Sequence, residues 1–400
     1  MASIERRVIQ RRDNSGRLRK VTRYRVRYRD QDGKWHSETK ERLVDAERRK
    51  AEVELQLADG AWRDPRRGLI KLSTWIEEWI PSRHDLRPTT RARLKATIKS
   101  QILPRFGNTA LSRISNSAVR AWVQEMLDDG LAPTSVRKAV FALRQALEAA
   151  IADGRLFTNA ALNVPLPAER AKPPRFLTQA EVERLCAAMP ERYRALVLVG
   201  AYAGLRWGEA AGLTRMNVEI ERSRIRVTST AIEIGGHVSL GQQPKTTRSK
   251  RTIPVARAVI ERVQAHLDQF VPADPDALVF TSPMGGPLAR SRFTRRVWRP
   301  ATEAAGLRGL TFHGLRHSFV AILVAAGCNV REVSEWAGHT SVAFTLTRYG
   351  GLYDDGSDAA VDRLDALLNP STDPVTEEYP RHVDDGSCAR VVPSTTSAED

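Results

Sequence analysis

The sequence predicts a mainly helical protein with small β elements, built as three units followed by a tail. Three observations lead there. Apolar residues recur at helical spacing through most of residues 70–368, and only short runs alternate with period two. Two stretches, Pro65-Arg66-Arg67-Gly68 and Asn163 to Arg175 with Pro165, Pro167, Pro173 and Pro174, read as linkers. The units therefore run 1–62, 70–162 and 176–368. Residues 369–400, rich in Pro, Ser, Thr and Asp, are expected to be a disordered tail.

In the first unit, Tyr24-Arg25-Val26-Arg27-Tyr28-Arg29 alternates, so Tyr24, Val26 and Tyr28 share one strand face and Arg25, Arg27 and Arg29 the other. Asp32-Gly33 supplies a tight turn, Lys34 to Thr39 returns as the paired strand, and Asp45 to Leu57 reads as a helix of mixed charge. A thin sheet with an unpaired arginine face suits the major groove of duplex DNA. A solvated face would look the same in sequence.

The second unit reads as four helices with short loops. Leu72, Trp75, Ile76, Trp79 and Ile80 form the stripe of the first. Pro88 opens a second helix bearing Arg91, Arg93, Lys95 and Lys99, which Pro104-Arg105-Phe106-Gly107 ends. Ser115 or Asn116 caps a third through Trp122 to Gly130, and Pro133 opens a fourth with Val136, Val140, Leu143 and Leu147 inward and Arg137, Lys138 and Arg144 off that face. The apolar stripes are core. Arg91, Arg93, Lys95, Arg137 and Lys138 are candidate DNA contacts, although charge on a helix exterior is usually just solvated.

In the third unit, Thr178 and Glu181 form a capping box, and helical patterns run to about Leu213. Strand-like runs follow at Arg224 to Thr228 and Arg251 to Val255, with the basic turn Pro244-Lys245-Thr246-Thr247-Arg248-Ser249-Lys250 between them. Helical patterns then resume to about Leu368.

Composition points to a polyanionic partner. The 400 residues carry a formal net charge of +16, which favours nucleic acid or an anionic surface through counterion release. A ribosomal or merely soluble basic protein would carry a similar surplus. No apolar run approaches the roughly 20 residues of a spanning helix, and the arginine-rich start lacks the apolar core of a signal peptide. Cys186, Cys328 and Cys388 are few and far apart, which suits a reducing cytoplasm and neither a disulfide framework nor a structural zinc site.

Five clusters carry chemistry. Gly204-Leu205-Arg206-Trp207-Gly208-Glu209 places Arg206 and Glu209 three apart, able to pair, at the end of the apolar run Leu196 to Val199. The basic turn holds Lys245 and Lys250. His313-Gly314-Leu315-Arg316-His317 puts His313 and Arg316 on one helix face. Gly338-His339 and Arg348-Tyr349-Gly350 complete the set. His313 and His317 would imitate a metal pair, but no Glu lies between them and a third ligand is missing. Cations gathered near a tyrosine hydroxyl are what attack on a phosphodiester needs.

In this order and at these separations, the clusters resemble the catalytic set of tyrosine recombinases, and more narrowly the phage-type integrases of actinobacterial phages and integrative elements. The resemblance covers almost the whole chain. It implies an N-terminal arm-site module with a three-stranded sheet, a helical core-site domain and a mixed α/β catalytic domain. It also implies that Arg206 and Arg316 hold the scissile phosphate, that His313 and His339 add hydrogen bonds, with His313 also assisting proton transfer, and that Glu209 orients Arg206. Lys245, in the family's Pro-Lys-Thr pattern, would protonate the leaving 5′ oxygen, with Lys250 its rival. Tyr349 would attack, with Tyr353 its rival. One departure is Gly351, where many relatives carry His.

The resemblance further implies a bacterial cytoplasmic, nucleoid-associated enzyme that needs neither metal nor other cofactor. Its partners would be double-stranded core and arm sites, a homotetramer assembled on DNA, and an excision factor or host bending protein. Ala360, Val361, Leu364, Leu367 and Leu368 would form a short helix that folds back on its own domain or docks on a neighbouring subunit. A resolvase of chromosome dimers or a type IB topoisomerase would share the chemistry but not the N-terminal module. A DNA-binding regulator would have no use for the catalytic set, and a metal-dependent nuclease would need clustered carboxylates.

Overall fold

The computed structural model describes residues 2–12, 18–30, 33–60, 62–169, 174–242, 250–353, 361–362, 364–365 and 368. Among these, buried apolar side chains gather in three separate clusters.

The first cluster lies under an antiparallel sheet of order β1-β2-β3: β1 (Ser3–Arg12), β2 (Leu18–Arg29) and β3 (Trp35–Lys40). Val26 and Tyr28 point inward on β2, against Ala46 and Val53 of α1 (Leu43–Ala58). Arg27 and Arg29 are exposed on the other face, as period two requires. That face is not a row of unpaired charges, however. Arg25 donates to Ser37 Oγ (2.9 Å), Arg27 lies over the Trp35 ring (5.1 Å), and Arg29 donates to the Gly33 carbonyl. Long side chains on adjacent strands reach their cross-strand neighbours. Of the Asp32-Gly33 turn, Asp32 falls outside the described residues; Gly33 has φ +81°.

The second cluster is helical: α2 (Leu72–Ser82), α3 (Pro88–Thr97), α4 (Leu103–Phe106), α5 (Asn116–Asp128) and α6 (Pro133–Ala152). Its stripes are the expected ones, and Trp75 donates its indole N–H to the Ala146 carbonyl (2.8 Å), tying α2 to α6. Ser115, rather than Asn116, caps α5. The second helix ends within Pro104-Arg105-Phe106-Gly107, as expected, but by way of a π turn. A wider π turn over Ile98–Ile102 carries the chain into α4, where Pro104 sits in the first turn and needs no N–H, and the helix stops at Gly107.

The third cluster packs α7 (Gln179–Ala188), α8 (Arg194–Tyr202), α9 (Trp207–Ala211), α10 (Arg257–Phe270), α11 (Arg290–Phe293), α12 (Arg299–Ala304), α13 (Phe312–Ala325), α14 (Val330–Ala337) and α15 (Val342–Tyr349) around two small sheets. One sheet has order β4-β5-β8, from β4 (Val218–Glu219), β5 (Arg224–Val227) and β8 (Arg251–Pro254). The other is a hairpin of β6 (Thr230–Ile234) and β7 (His237–Gln242). The two strand-like runs are thus direct partners, and the chain between them makes a hairpin of its own, turned by Gly235-Gly236, before it reaches the basic segment. Lys245 lies in residues 243–249, outside the described residues. Of the C-terminal stripe, Val361, Leu364 and Leu368 are helical and exposed, while Ala360 and Leu367 lie outside the described residues, as does 369–400. Among the described residues no helix is long and apolar enough to cross a membrane.

The packing of α8 on α13 positions the site. Gly200 of α8 rests against Leu315 and Phe312, so close that an added Cβ would come within 2.6 Å of Leu315. Gly204, just past α8, has φ +61°, and a Cβ there would fall 2.2 Å from the Phe319 ring. We expect Gly204→Ala to cost about 2–4 kcal/mol, from left-handed strain plus overpacking. The lowered denaturant midpoint of the catalytic unit, followed by tryptophan fluorescence, measures this, and an unchanged midpoint would contradict the packing.

Candidate active site

Three guanidiniums converge at the C-terminal end of α14. A helix leaves its last carbonyls without intrahelical donors, and here three consecutive ones are taken by arginines. Arg251 Nε donates to the Trp336 carbonyl (2.7 Å), Arg316 Nη2 to that of Ala337, and Arg206 Nη2 to that of Gly338 (2.7 Å). Gly338 makes this possible by ending α14 in the left-handed region (φ 62°, ψ 50°), where glycine is favoured. Its α-carbon also lies against the Arg251 side chain, 3.1 Å from where a Cβ would sit.

The remaining donors are fixed from other elements. Arg316, on α13 and only 2% exposed, gives its second Nη to the Gly204 carbonyl (2.7 Å). Glu209, on α9, receives Arg206 Nη1 (2.8 Å) and, on both carboxylate oxygens, the two Nη atoms of Arg251 (3.1 and 3.0 Å). It also receives the Arg206 backbone N–H (2.8 Å), so the Glu209 side chain reaches back to the N-cap position of α9. Arg206 and Glu209 therefore pair as expected, but Arg206 stands at the N-cap position of the helix instead of sitting within it.

The electrostatics follow. Burial pushes the Glu209 carboxyl up, but Arg251 and Arg206 outweigh it and hold the group at about 2. Burial first, then the charges of Arg206 and Arg251, lowers Arg316 from the ordinary arginine range. His313 is pushed down to about 4 by desolvation, then by His317 and Arg316, although the residue is exposed on the wall of a cleft. His339, buried, is pushed down to about 3 by desolvation and the arginines. The hollow thus sets three cations against one carboxylate and flanks them with two neutral imidazoles, an arrangement receptive to an anion.

Tyr349 closes the site from the last turn of α15. It is 3% exposed, its ring lies parallel to that of His339 (5.9 Å between centroids, 7°), and its hydroxyl meets His317 Nδ1 at 2.6 Å. Burial raises its pKa, with Arg316 and Arg348 pulling it back. His339 is oriented by Thr345, whose Oγ1 lies 2.7 Å from Nδ1. The rival Tyr353 packs half-buried against the same core, its hydroxyl buried without a hydrogen-bond partner among the described residues.

A cleft of about 1300 Å³ leads to the hollow, between α3 on one side and the catalytic unit on the other. Arg93, Arg206, Arg290, Arg295, Arg299 and His313 line it. Of the other helical candidates, Lys95 and Lys138 are exposed, while Arg91 bonds the Arg83 carbonyl (3.1 Å) and Arg137 that of Pro167 (3.2 Å), so those two are engaged by the protein itself. Arg251 and the arginines at 290, 295 and 299 were not among the sequence candidates, and His317 was weighed only as half of a metal pair. Arg251 had left a signal, because it falls in phase with the buried Ile253 and an inward arginine needs a partner. Among the described residues no group of three or more His, Cys, Asp or Glu side chains could hold a metal ion.

A helical body whose arginine-lined hollow adjoins a tyrosine on a late helix is the arrangement of the tyrosine recombinase class. Residues 175–355 match the phage integrase family, and residues 71–127 match the phage integrase N-terminal SAM-like domain. The chain belongs to the phage integrase family. It is 27% identical over 343 residues to a protein named as a prophage phiRv2 integrase of Mycobacterium tuberculosis, covering 83% of this chain and 90% of that one. It is 28% identical over 277 residues to the integrase of Mycobacterium phage FRAT1, covering 68% and 81%. The fold is shared with the Tn1549 transposon integrase in complex with circular intermediate DNA (TM-score 0.61, 20% identity, 74% of this chain and 99% of that one). It is also shared with a lambda integrase tetramer bound to a Holliday junction (TM-score 0.55, 18% identity, 79% and 89%).

The depressed histidines make stability depend on pH. An imidazole whose folded pKa lies below its unfolded value near 6.5 leaves the unfolded chain holding the extra proton, so stability falls as pH drops from about 6.5 toward the folded value. We expect the denaturant midpoint of the catalytic unit to fall between pH 7 and pH 5, and to fall less steeply in His339→Asn. Parallel slopes for the two proteins would refute the assignment.

Proposed function

We propose that this chain is a site-specific DNA recombinase that cuts and rejoins double-stranded DNA through a covalent 3′-phosphotyrosyl intermediate on Tyr349, integrating a phage or other mobile element. The observation that carries this reading is the buried tyrosine hydroxyl beside a hollow of three guanidiniums and one carboxylate. Arg206 and Arg316 are the forks for the non-bridging oxygens of the scissile phosphate, since a planar guanidinium can present two parallel donors and a lysine cannot. His313 and His339 add hydrogen bonds. Glu209 holds Arg206 and Arg251 in register, and Lys245 is the acid for the departing 5′ oxygen.

Attack by Tyr349 exchanges one phosphate ester for another, so the bond energy is kept and neither a nucleotide nor a metal is consumed. The partner strand's 5′ hydroxyl reverses the step, and two rounds of exchange pass through a four-way junction. The tetramer and Holliday junction named for lambda integrase, and the integrase names of the mycobacterial relatives, support this course of events. Residues 70–162, with Arg93 on the cleft wall, and 176–368 grip the core site from two sides. The sheet of residues 1–62 takes a distal arm site on its arginine face, where Arg25, Arg27 and Arg29 would exchange their contacts to Ser37, Trp35 and Gly33 for phosphates. Bridging two kinds of site implies bent DNA, and with it a host bending protein or an excision factor.

Incubated in EDTA with a nicked suicide duplex drawn from the DNA flanking its own gene, the protein is expected to form a covalent adduct. Tyr349→Phe should abolish it and Tyr353→Phe should not. An adduct that requires magnesium, or that survives Tyr349→Phe, would sink the mechanism. Deleting residues 1–62 should remove binding to distal arm sites in a mobility-shift assay while core-site cleavage stays detectable; arm binding that persists would refute the module's role.

A further inference from the structure

The Tyr349 hydroxyl must lose a proton as it attacks, and the contacts around it single out one acceptor. His317 Nδ1 lies 2.6 Å from that hydroxyl. His339, although it touches the tyrosine, offers it the flat face of its ring, and its Nδ1 is held by Thr345. The His313 ring meets His317 edge-on, 5.0 Å between centroids at 84°, and the residue is exposed on the cleft wall. The three arginines have no acceptor to offer.

We propose that His317 is the catalytic base that accepts the Tyr349 proton, a role that rests on the recombinase reading above and transfers to His317 the proton-handling expected of His313. In the forward step the Tyr349 O–H bond breaks and its proton passes to His317 Nδ1. The phenolic oxygen bonds to phosphorus, and the bond from phosphorus to the 5′ oxygen breaks, that oxygen taking its proton from a separate acid. In the reverse step the 5′ hydroxyl attacks, and the His317 imidazolium returns its proton to the departing tyrosine. The charge balance favours this use. His313 and Arg316 flank His317 on α13, Arg348 and Tyr349 face it from α15, and burial together with the two arginines lowers its pKa, so the ring is neutral and ready to accept near neutral pH. Attack brings the dianionic transition state into the arginine hollow beside it, and the new imidazolium is formed just as that negative charge appears.

The test measures single-turnover adduct formation by the full chain on the nicked suicide duplex, from pH 6 to pH 9.5, for wild type, His317→Ala and His317→Asn. Asparagine keeps a polar atom near the position of Nδ1 and can hold the hydroxyl, yet it cannot take up a proton. We expect both variants to slow adduct formation by about 100-fold or more at pH 7. The deficit should shrink as pH rises toward tyrosine ionisation, and added imidazole should partly restore His317→Ala. Core-site binding in a mobility-shift assay reports that each variant is folded, and if the alanine variant fails there, the asparagine variant carries the test. A rate for His317→Asn within about threefold of wild type, or a deficit that is constant with pH and unresponsive to imidazole, would overturn the proposal and leave His317 a positioning residue. A wild-type protein that forms no Tyr349 adduct would instead overturn the recombinase reading itself.

Discussion

The site depends on the way one helix ends. The last carbonyls of α14 have no backbone donors of their own, and the left-handed turn at Gly338 presents them to the interior instead of to water. Buried carbonyls without donors are costly, and so are buried guanidiniums without acceptors; here each offsets the other. The negative end of the helix dipole adds to the attraction. Because the three carbonyls are consecutive, their spacing is set by backbone geometry alone. Arginines from three distant stretches of chain, at 206, 251 and 316, are thereby brought to a common register.

That arrangement explains the division of labour between charge and neutrality. Glu209 compensates part of the positive charge and is itself held ionised by it, which makes the carboxylate a structural anion instead of an acid. The histidines, crowded by the same cations, stay neutral in the free protein. A phosphate entering the hollow supplies the missing negative charge, and it is then that the imidazoles can carry protons without opposing the arginines. On the mechanism proposed above, the chemistry is tied to the presence of DNA by electrostatics.

Much of this was legible in the sequence because it is local. The capping box at Thr178, the stripe from Leu72 to Ile80, the alternation from Tyr24 to Arg29 and the spacing of His313 and Arg316 each follow from one period or one cap. What was missed is tertiary. Arg251 acts through a carboxylate 42 positions away, and His317 through a tyrosine 32 positions away, so neither role can be read from neighbours in the chain. The arginine face of the N-terminal sheet looked unpaired because its partners, Ser37 and Trp35, sit on the adjacent strand. The end of the second helix at Pro104-Arg105-Phe106-Gly107 was legible, but the π turn before it, which accommodates Pro104, has no clear sequence mark. The hairpin at Gly235-Gly236 was a readable signal, since alternating residues flank a two-residue glycine turn.

The hollow that awaits a phosphate has a consequence for the life of the protein in a cell. A native state that holds three clustered cations against a single carboxylate is under strain whenever its substrate is absent, and anything that binds the folded form alone adds to its stability. A duplex phosphate seated in the hollow is therefore expected to stabilise the native state, so that the bound chain opens to proteases less often than the free one.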